Sequence, residues 1–226
     1  MSKDDASIAG GPPADTVILV HGLWTPALVC TPHGRWLRRR GHQVRYFAYP
    51  SVRATLSENA QALRGFVATT GAARIDFVGH SLGGLIILEM LAGPADPRFR
   101  RAVLLGTPCL DSHCARRLAG VPGMTTILGR SIIEWLSRAQ ATGIRAPSGI
   151  EVGVVAGTRS VGLGRVVPGL PRPNDGVVAL AETRLPGAKD SVALPVAHSA
   201  MLVSRRCAAE IASFLETGRF TDERPG

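Results

Sequence analysis

Residues 79–83 read Gly-His-Ser-Leu-Gly, and they stand between an apolar run at 75–78 and an apolar segment at 85–91. A G-x-S-x-G pattern between a strand and a helix is typical of a sharp turn that pushes the serine hydroxyl clear of a sheet. Gly79 and Gly83 suit this turn, because a Cβ on either side of Ser81 would clash where the strand and helix approach. The pattern favours a nucleophilic serine, although a tight packing turn or part of a nucleotide site would have the same five-residue form.

A second motif lies about sixty residues upstream, where the apolar run 16–20 ends in His21-Gly22-Leu23-Trp24. Acyl transfer requires two N–H donors aimed at the developing oxyanion. Leu82, at the start of the helix after Ser81, offers the first, because helix N-termini carry unpaired amides and positive charge. The amide of Leu23, on a loop after a neighbouring strand, fits the second. The alternative is that His-Gly merely ends a buried strand.

Together the two motifs resemble those of the α/β-hydrolase family, and within it the small bacterial lipase-like and esterase-like members. In those members the oxyanion loop follows a strand as His-Gly-aliphatic. The resemblance extends from about Thr16 to Phe214. It implies a serine, an acid and a histidine in that chain order, in a minimal α/β-hydrolase fold.

Only His113 and His198 follow Ser81 in the chain. His198 comes after an apolar strand at 191–196 and before a long amphipathic segment, which is where the family places its base. His113 lies in a polar segment flanked by cysteine. A serine needs a base within hydrogen-bond reach to become a good nucleophile, so we predict that His198 is this base.

Asp175 is the predicted acid of the triad. It stands in Pro173-Asn174-Asp175-Gly176-Val177-Val178, which resembles the acid-bearing turn of bacterial lipases. Asn-Asp-Gly is also strong turn chemistry in any protein, so a simple Asx turn is the alternative. Asp111, which comes just after the strand predicted near 100–106, is the second choice for the acid. Asp190 opens the final strand and so belongs at the opposite edge of a parallel sheet from the active site.

Strand-like and helix-like patterns alternate along the whole chain, which predicts an α/β fold with about six mainly parallel strands and helices on both faces. We place strands near 16–20, 43–48, 74–80, 100–106, 151–157 and 190–196, and helices near 32–40, 55–69, 82–92, 126–141, 177–184 and 199–217. The 226 residues suit one domain at 16–217, between a flexible lead-in at 1–15 and a tail at 218–226.

The connection at 108–149 is the longest, and apolar residues at helical spacing in it include Ile127, Trp135 and Leu136. A crossover helix is needed here, and its apolar side either packs wholly in the core or forms a partial lid on the acyl pocket. Candidate pocket residues are Trp24, Trp135 and Thr107. Thr107 follows its strand in Gly106-Thr107-Pro108, where it lines the rim or caps a turn.

The formal net charge of +9 comes mostly from arginines scattered along the chain, and aromatic residues make up only 5%. Without interleaved basic and aromatic residues, we predict no nucleic-acid partner. No apolar stretch is long enough to span a bilayer and no export signal is apparent, so the expectation is a cytoplasmic protein without stable membrane insertion.

Four cysteines, Cys30, Cys109, Cys114 and Cys207, could form two disulfides in an oxidising compartment, but a cytosolic chain would keep them as thiols. Cys109, His113 and Cys114 match no structural zinc spacing, so no metal is expected.

The sequence therefore predicts a serine hydrolase that cleaves small-molecule carboxylic esters, in the manner of a lipase or esterase, with a Ser81–His198–Asp175 triad and no cofactor. An acyltransferase or thioesterase would use the same triad with another acceptor. A non-catalytic binding protein that retains the fold is the third possibility.

Overall fold

The computed structural model describes residues 15–139, 144–162 and 167–221. The predicted lead-in therefore lies outside the described residues except for Asp15, as does the tail from residue 222 onward.

The centre of the molecule is a six-stranded sheet in which every neighbouring pair is parallel. The strands are β1 Thr16–Val20, β2 Gln43–Phe47, β3 Ile75–His80, β4 Phe99–Leu105, β5 Glu151–Gly157 and β6 Asp190–Leu194. Their order across the sheet is β2-β1-β3-β4-β5-β6. Each predicted strand is thus present, within a few residues of its expected bounds.

The central strands β1 and β3 are buried at every residue. Continuous burial is expected where helices cover both faces of a parallel sheet. The chain passes from β1 outward to β2 and then returns to place β3 on the other side of β1. Such a reversal opens a crevice at the carboxyl ends of the two strands, and ligands of open α/β sheets bind in this crevice. Both sequence motifs follow these two strands.

In the described part of the chain, six α-helices cover the sheet: α1 Thr31–Arg38, α2 Leu56–Ala68, α3 Leu82–Leu91, α4 His113–Ala119, α5 Met124–Ala139 and α6 Arg205–Thr217. An apolar cluster fills the space between the sheet and the helices on each of its two faces. One joins the sheet to α2, α3 and α5, and the other joins it to α1 and α6. The architecture is therefore a three-layer α/β sandwich.

Two predicted helices differ in the structure. At 177–184 there is only a 3₁₀ turn, Leu180–Thr183, because the chain folds back on itself before it. Asn174 forms a bridge with Ala179, and the amide of Leu180 donates to the carbonyl of Pro173. These bonds satisfy backbone groups that a helix would otherwise use.

The helix predicted at 199–217 is divided into a 3₁₀ turn, Ser199–Leu202, and α6. Ser204 causes the division, since its hydroxyl accepts from the amide of Cys207 and so caps a new helix. The short helix α4 was not predicted. It begins in the same way after Ser112, whose hydroxyl accepts from the amide of Ala115.

The helix predicted at 126–141 corresponds to α5, which is broken at Gly129, where φ is 80° and ψ is 164°. Its last two predicted residues lie outside the described part. Leu128, Ile132, Trp135 and Leu136 are buried in the apolar cluster that also contains α2 and α3, whereas Ile127 is 48% exposed. Most of the apolar side of α5 is therefore core.

Within the described ranges no helix is both long and apolar enough to cross a membrane.

Candidate active site

Ser81 occupies the turn between β3 and α3 with φ 53° and ψ −120°. A non-glycine residue at positive φ costs on the order of 1–3 kcal/mol and persists only where the surroundings enforce it. Here the amide of Ser81 donates to the carbonyl of Leu105 at 2.8 Å, and its carbonyl accepts from the amide of Gly84 at 3.0 Å. The neighbouring strand and the helix thus both hold the strained turn in place.

The glycines around Ser81 allow the strand and the helix to approach as closely as the sequence predicts. A Cβ on Gly79 would lie 2.6 Å from the amide nitrogen of Gly84, and a Cβ on Gly83 would overlap the carbonyl oxygens of Val20 and His21. Contacts this short require the backbone to shift. Helix α3 therefore begins directly against the end of β1, where the His-Gly motif is.

His198 and Asp175 are in direct contact, with His198 Nδ1 2.7 Å from Asp175 Oδ2. The two residues are also joined by their backbones, because the amide of His198 donates to the carbonyl of Asp175 at 2.8 Å. Both side chains are buried. The imidazole is thus held by a carboxylate from a different connection of the fold.

Asp175 forms the Asx turn that the sequence suggested and contacts His198 at the same time. Oδ1 of Asp175 accepts from the amides of Val177 at 2.9 Å and Val178 at 2.7 Å, which leaves Oδ2 for His198. A carboxylate fixed by backbone donors has one orientation, so it also fixes the ring that it contacts.

The other candidates lie elsewhere. Asp111 pairs with Arg116 at 2.5 Å, and Asp190, at the amino end of β6, accepts from the amide of Phe220. His113 is directed at the carbonyl oxygen of Pro168. Among the carboxylates that the structure describes, Asp175 is the one whose side chain contacts a histidine ring within hydrogen-bond distance.

Gly106 connects the two halves of the candidate site. It follows Leu105, which binds the amide of Ser81, and it has φ 55°. A Cβ at Gly106 would lie 3.0 Å from Nδ1 of His198 and 3.1 Å from Oδ2 of Asp175. The backbone at the end of β4 therefore contacts Ser81 through Leu105 and the His198–Asp175 pair through Gly106.

Two amides are available to bind an oxyanion. Leu82 is the first residue of α3, so its N–H has no acceptor within the helix. The N–H of Leu23 donates to no acceptor in the described part of the chain. Leu23 follows β1 and Leu82 follows β3, which are neighbours in the sheet. Both donors lie beside Ser81, where Gly22 packs against the serine Cβ.

Comparisons with solved structures show the same fold. A lipase of Bacillus licheniformis in its mature form superposes with a TM-score of 0.72 at 18% identity, over 94% of this chain and 95% of that one. An enol-lactonase from Burkholderia xenovorans gives 0.61 at 18% identity over 94% of each chain. An esterase of Thermogutta terrifontis gives 0.63 at 15% identity, over 91% of this chain and 90% of that one. No protein-family model and no curated sequence matches.

The chain has the α/β-hydrolase fold. Ser81, Asp175 and His198 each follow the carboxyl end of a strand or lie in the connection that leaves it, at the edge where proteins of this fold class bind their ligands.

The three pocket candidates differ in exposure within the α/β-hydrolase fold. Trp24 is 52% exposed, whereas Thr107 and Trp135 are packed among protein atoms at 0% and 1%. Thr107 donates its hydroxyl proton to the carbonyl of Ser81 at 3.2 Å and so supports the turn, as the capping alternative expects. Trp135 belongs to the core cluster. Of these three side chains, Trp24 is thus the one that is exposed to solvent.

Sequence reasoning missed two buried residues that hold this edge of the α/β-hydrolase fold together. The hydroxyl of Tyr49 donates to the carbonyl of His21 at 2.7 Å, and the Tyr49 ring stacks on the His21 ring. His80 Nε2 lies 3.1 Å from the carbonyl oxygen of His198. The position of His80 beside Ser81 was visible in the sequence, but its partner was not.

Burial dominates the electrostatics of these side chains. It lowers the pKa of His21, and it lowers the pKa of His80 to about 3, with a further contribution from nearby His198. All four cysteines are buried free thiols, and burial raises the pKa of Cys30 and Cys109 to about 12. No three His, Cys, Asp or Glu side chains in the described ranges are grouped so as to hold a metal ion.

Proposed function

We propose that this protein is a serine ester hydrolase, in the manner of a lipase or carboxylesterase, with Ser81 as nucleophile, His198 as general base and Asp175 as the orienting acid. The observation that carries the proposal is the 2.7 Å contact between His198 Nδ1 and Asp175 Oδ2 beside a serine held at positive φ. The carboxyl edge of the sheet is where an α/β-hydrolase fold places these roles.

The contact with Asp175 determines which ring nitrogen of His198 is the base. A carboxylate oxygen can only accept, so Nδ1 of His198 carries the proton and Nε2 carries the free electron pair. Nε2 is therefore the atom that takes the proton from Ser81. As the ring becomes charged, the carboxylate of Asp175 stabilises the imidazolium.

In the first half of the reaction, Ser81 Oγ attacks the ester carbonyl carbon while its proton passes to His198 Nε2. The carbonyl oxygen becomes an oxyanion, which accepts hydrogen bonds from the amides of Leu23 and Leu82. The intermediate then collapses, the C–O bond to the alcohol breaks, and the alkoxide leaves with the proton from Nε2. Ser81 remains acylated.

In the second half, water loses a proton to His198 Nε2 and attacks the acyl carbon. The same two amides receive the second oxyanion. Collapse breaks the bond to Ser81 Oγ, which recovers its proton from Nε2, and the carboxylic acid departs. The strained turn keeps Ser81 Oγ clear of the sheet in both halves, so no backbone reorganisation is needed at the moment of reaction.

Exposed apolar side chains support an uncharged, acyl-bearing substrate. Trp24 and Leu28, which is 74% exposed, follow β1, and the indole N–H of Trp24 donates to the carbonyl of Ile127, which is also exposed. Large apolar side chains left in solvent beside a polar site suit acyl chains better than charged peptides. The proposed partner is thus a small-molecule ester.

The test is hydrolysis of nitrophenyl esters of rising acyl length by the wild type and Ser81→Ala. We expect kcat/KM to fall by about 10⁴-fold or more in Ser81→Ala, because the remaining groups supply only binding and oxyanion stabilisation. A fluorophosphonate should label the wild type once, at Ser81, as seen by peptide mass spectrometry.

Ser199→Ala is the matched control, since Ser199 is exposed and next to His198 in the chain. It should keep both labelling and activity. Hydrolysis that survives in Ser81→Ala, or a label on another serine, would contradict the assignment. Partition of the acyl-enzyme to an added alcohol or thiol at the expense of water would instead show an acyltransferase or thioesterase on the same residues.

A further inference from the structure

His80 lies at the end of β3, directly before Ser81, and its side chain faces the turn that carries His198. Its Nε2 is 3.1 Å from the carbonyl oxygen of His198, and the two ring centroids are 4.7 Å apart. A carbonyl oxygen can only accept, so Nε2 of His80 carries the proton and donates it. This bond joins residues 118 positions apart in the chain.

The His80 ring also contacts the predicted oxyanion loop. A Cβ at Gly22 would lie 2.9 Å from Nδ1 of His80, which means that the loop backbone packs directly on this side of the ring. The imidazole therefore stands between the loop of Leu23 and the turn of His198, and it belongs to the same strand end as Ser81. One side chain thus contacts the segments that carry the donor, the nucleophile and the base.

The remaining bonds to the backbone of His198 come from other connections or from its own turn. Its amide donates to Asp175, and its carbonyl also accepts from the amide of Met201 at 3.3 Å, a local bond that moves with the turn. Among the described residues, His80 is the one from the central strands whose side chain binds this carbonyl. It is therefore the direct link between the base and the strand that ends in Ser81.

His80 keeps one protonation state at every pH near neutrality. Burial and the neighbouring His198 lower the pKa of His80 to about 3, so the ring is neutral and its Nε2–H remains available as a donor.

We propose that His80 is a positioning residue of the proposed ester hydrolase, and that its Nε2–H holds the carbonyl of His198 so that the base stays in register with Ser81. The inference rests on the proposed function. It goes beyond the triad, because His80 binds the backbone carbonyl of His198 and acts through that residue.

The experiment compares His80→Gln with His80→Met on a short-chain nitrophenyl ester. Gln places its amide N–H near the position of Nε2, and Met has a similar length and shape without a donor. We expect His80→Met to lower kcat by about 10- to 100-fold with KM changed less than about twofold, because a misplaced base slows chemistry and not binding. Gln should recover most of kcat.

The pH profile gives a second readout that a merely structural role would not move. If the base in His80→Met is less well held against Asp175, its charged form loses part of its carboxylate partner. The acid limb of the kcat profile should then move to lower pH in His80→Met and return in His80→Gln.

His33→Met is the matched control. His33 is also a buried histidine, and its Nε2 lies 2.8 Å from the carbonyl oxygen of Met201, in the same turn but three residues beyond the base. We expect a similar loss of melting temperature with kcat reduced no more than about threefold. If His80→Met does not fold, His80→Asn replaces it, since the shorter amide cannot reach the carbonyl.

Wild-type kcat in a folded His80→Met or His80→Asn would overturn the inference, as would equal losses in the Gln and Met variants or in His33→Met. Each of these results leaves the proposed function standing. If the wild type and Ser81→Ala hydrolyse the ester equally, the proposed function itself has failed.

Discussion

At the residue scale, the candidate site depends on backbone positions where only certain side chains fit. Ser81 is held at positive φ. Helix α3 starts almost in contact with the end of β1, so the glycines that flank Ser81 have no room for a Cβ. The functional demand on Gly83 is thus steric. Any side chain there must displace the carbonyls of Val20 or His21, and both precede the proposed oxyanion loop.

Gly83→Ala should therefore destabilise the protein by about 1–3 kcal/mol, the usual cost of overpacking a tight site, and it should lower ester hydrolysis as well. Denaturant unfolding and kcat/KM measure the two effects.

Gly65→Ala is the control, because Gly65 is exposed in α2 and a Cβ there would meet nothing within 4 Å. Alanine is the better helix former, so this variant should gain about 0.5–1 kcal/mol and keep its activity. Equal stability of the two variants would contradict the steric argument.

At the scale of elements, the residues on either side of the break in α5 form hydrogen bonds with the loops that follow β1 and β2. Gly129 interrupts the helix, so the carbonyls at the end of 124–128 lose partners within it. The indole N–H of Trp24 donates to one of them, on Ile127, at 2.8 Å. On the other side of the break, the amide of Arg130 donates to the carbonyl of Val52 at 2.9 Å.

Trp24→Phe keeps an aromatic ring but removes the donor to Ile127. The loss of one hydrogen bond, about 1 kcal/mol net, should raise hydrogen exchange in 124–128 about fivefold, while the second part of α5 remains protected by its core contacts. Hydrogen exchange followed by mass spectrometry resolves the two parts.

Trp36→Phe serves as the comparison, because the indole N–H of Trp36 has no protein acceptor in the described part of the chain. Its exchange pattern over 124–128 should match the wild type. A similar rise in both variants would mean that the Trp24 bond does not restrain this segment.

At the scale of the whole molecule, three buried histidines make stability depend on pH. Burial lowers the pKa of His21, His33 and His80, so the folded state keeps them neutral while the unfolded chain binds protons near its ordinary pKa. Since the unfolded state then binds more protons, stability falls as pH drops below about 6.5. Burial raises the pKa of Asp76 and Glu182, which opposes part of this loss.

We expect the free energy of unfolding to decrease between about pH 7 and pH 5, with each buried histidine contributing up to about 1.4 kcal/mol per pH unit. Urea unfolding across this range measures the slope. His80→Gln removes one titrating group and should reduce the slope, whatever it does to stability at pH 7. A wild-type stability that stays constant or rises on acidification would refute the prediction.

The sequence by itself determined the strands and the turn at Ser81. Largely apolar runs such as 16–20 and 75–78, bounded by turn residues, are typical of strands that helices cover on both faces, and the glycines around Ser81 meet a steric requirement that is local. These features depend on neighbours within a few residues, so they can be derived without knowing the rest of the fold.

Only the tertiary structure decided how distant segments meet. It brought Asp175 rather than the alternative Asp111 to His198, placed His80 within hydrogen-bond distance of the carbonyl of His198, and buried Trp135 and Thr107. It also turned the helix predicted at 177–184 into a fold-back, because Asp175 uses one carboxylate oxygen for the amides that follow it. Such outcomes depend on contacts between residues far apart in the chain, whose free energies exist only once the core has packed.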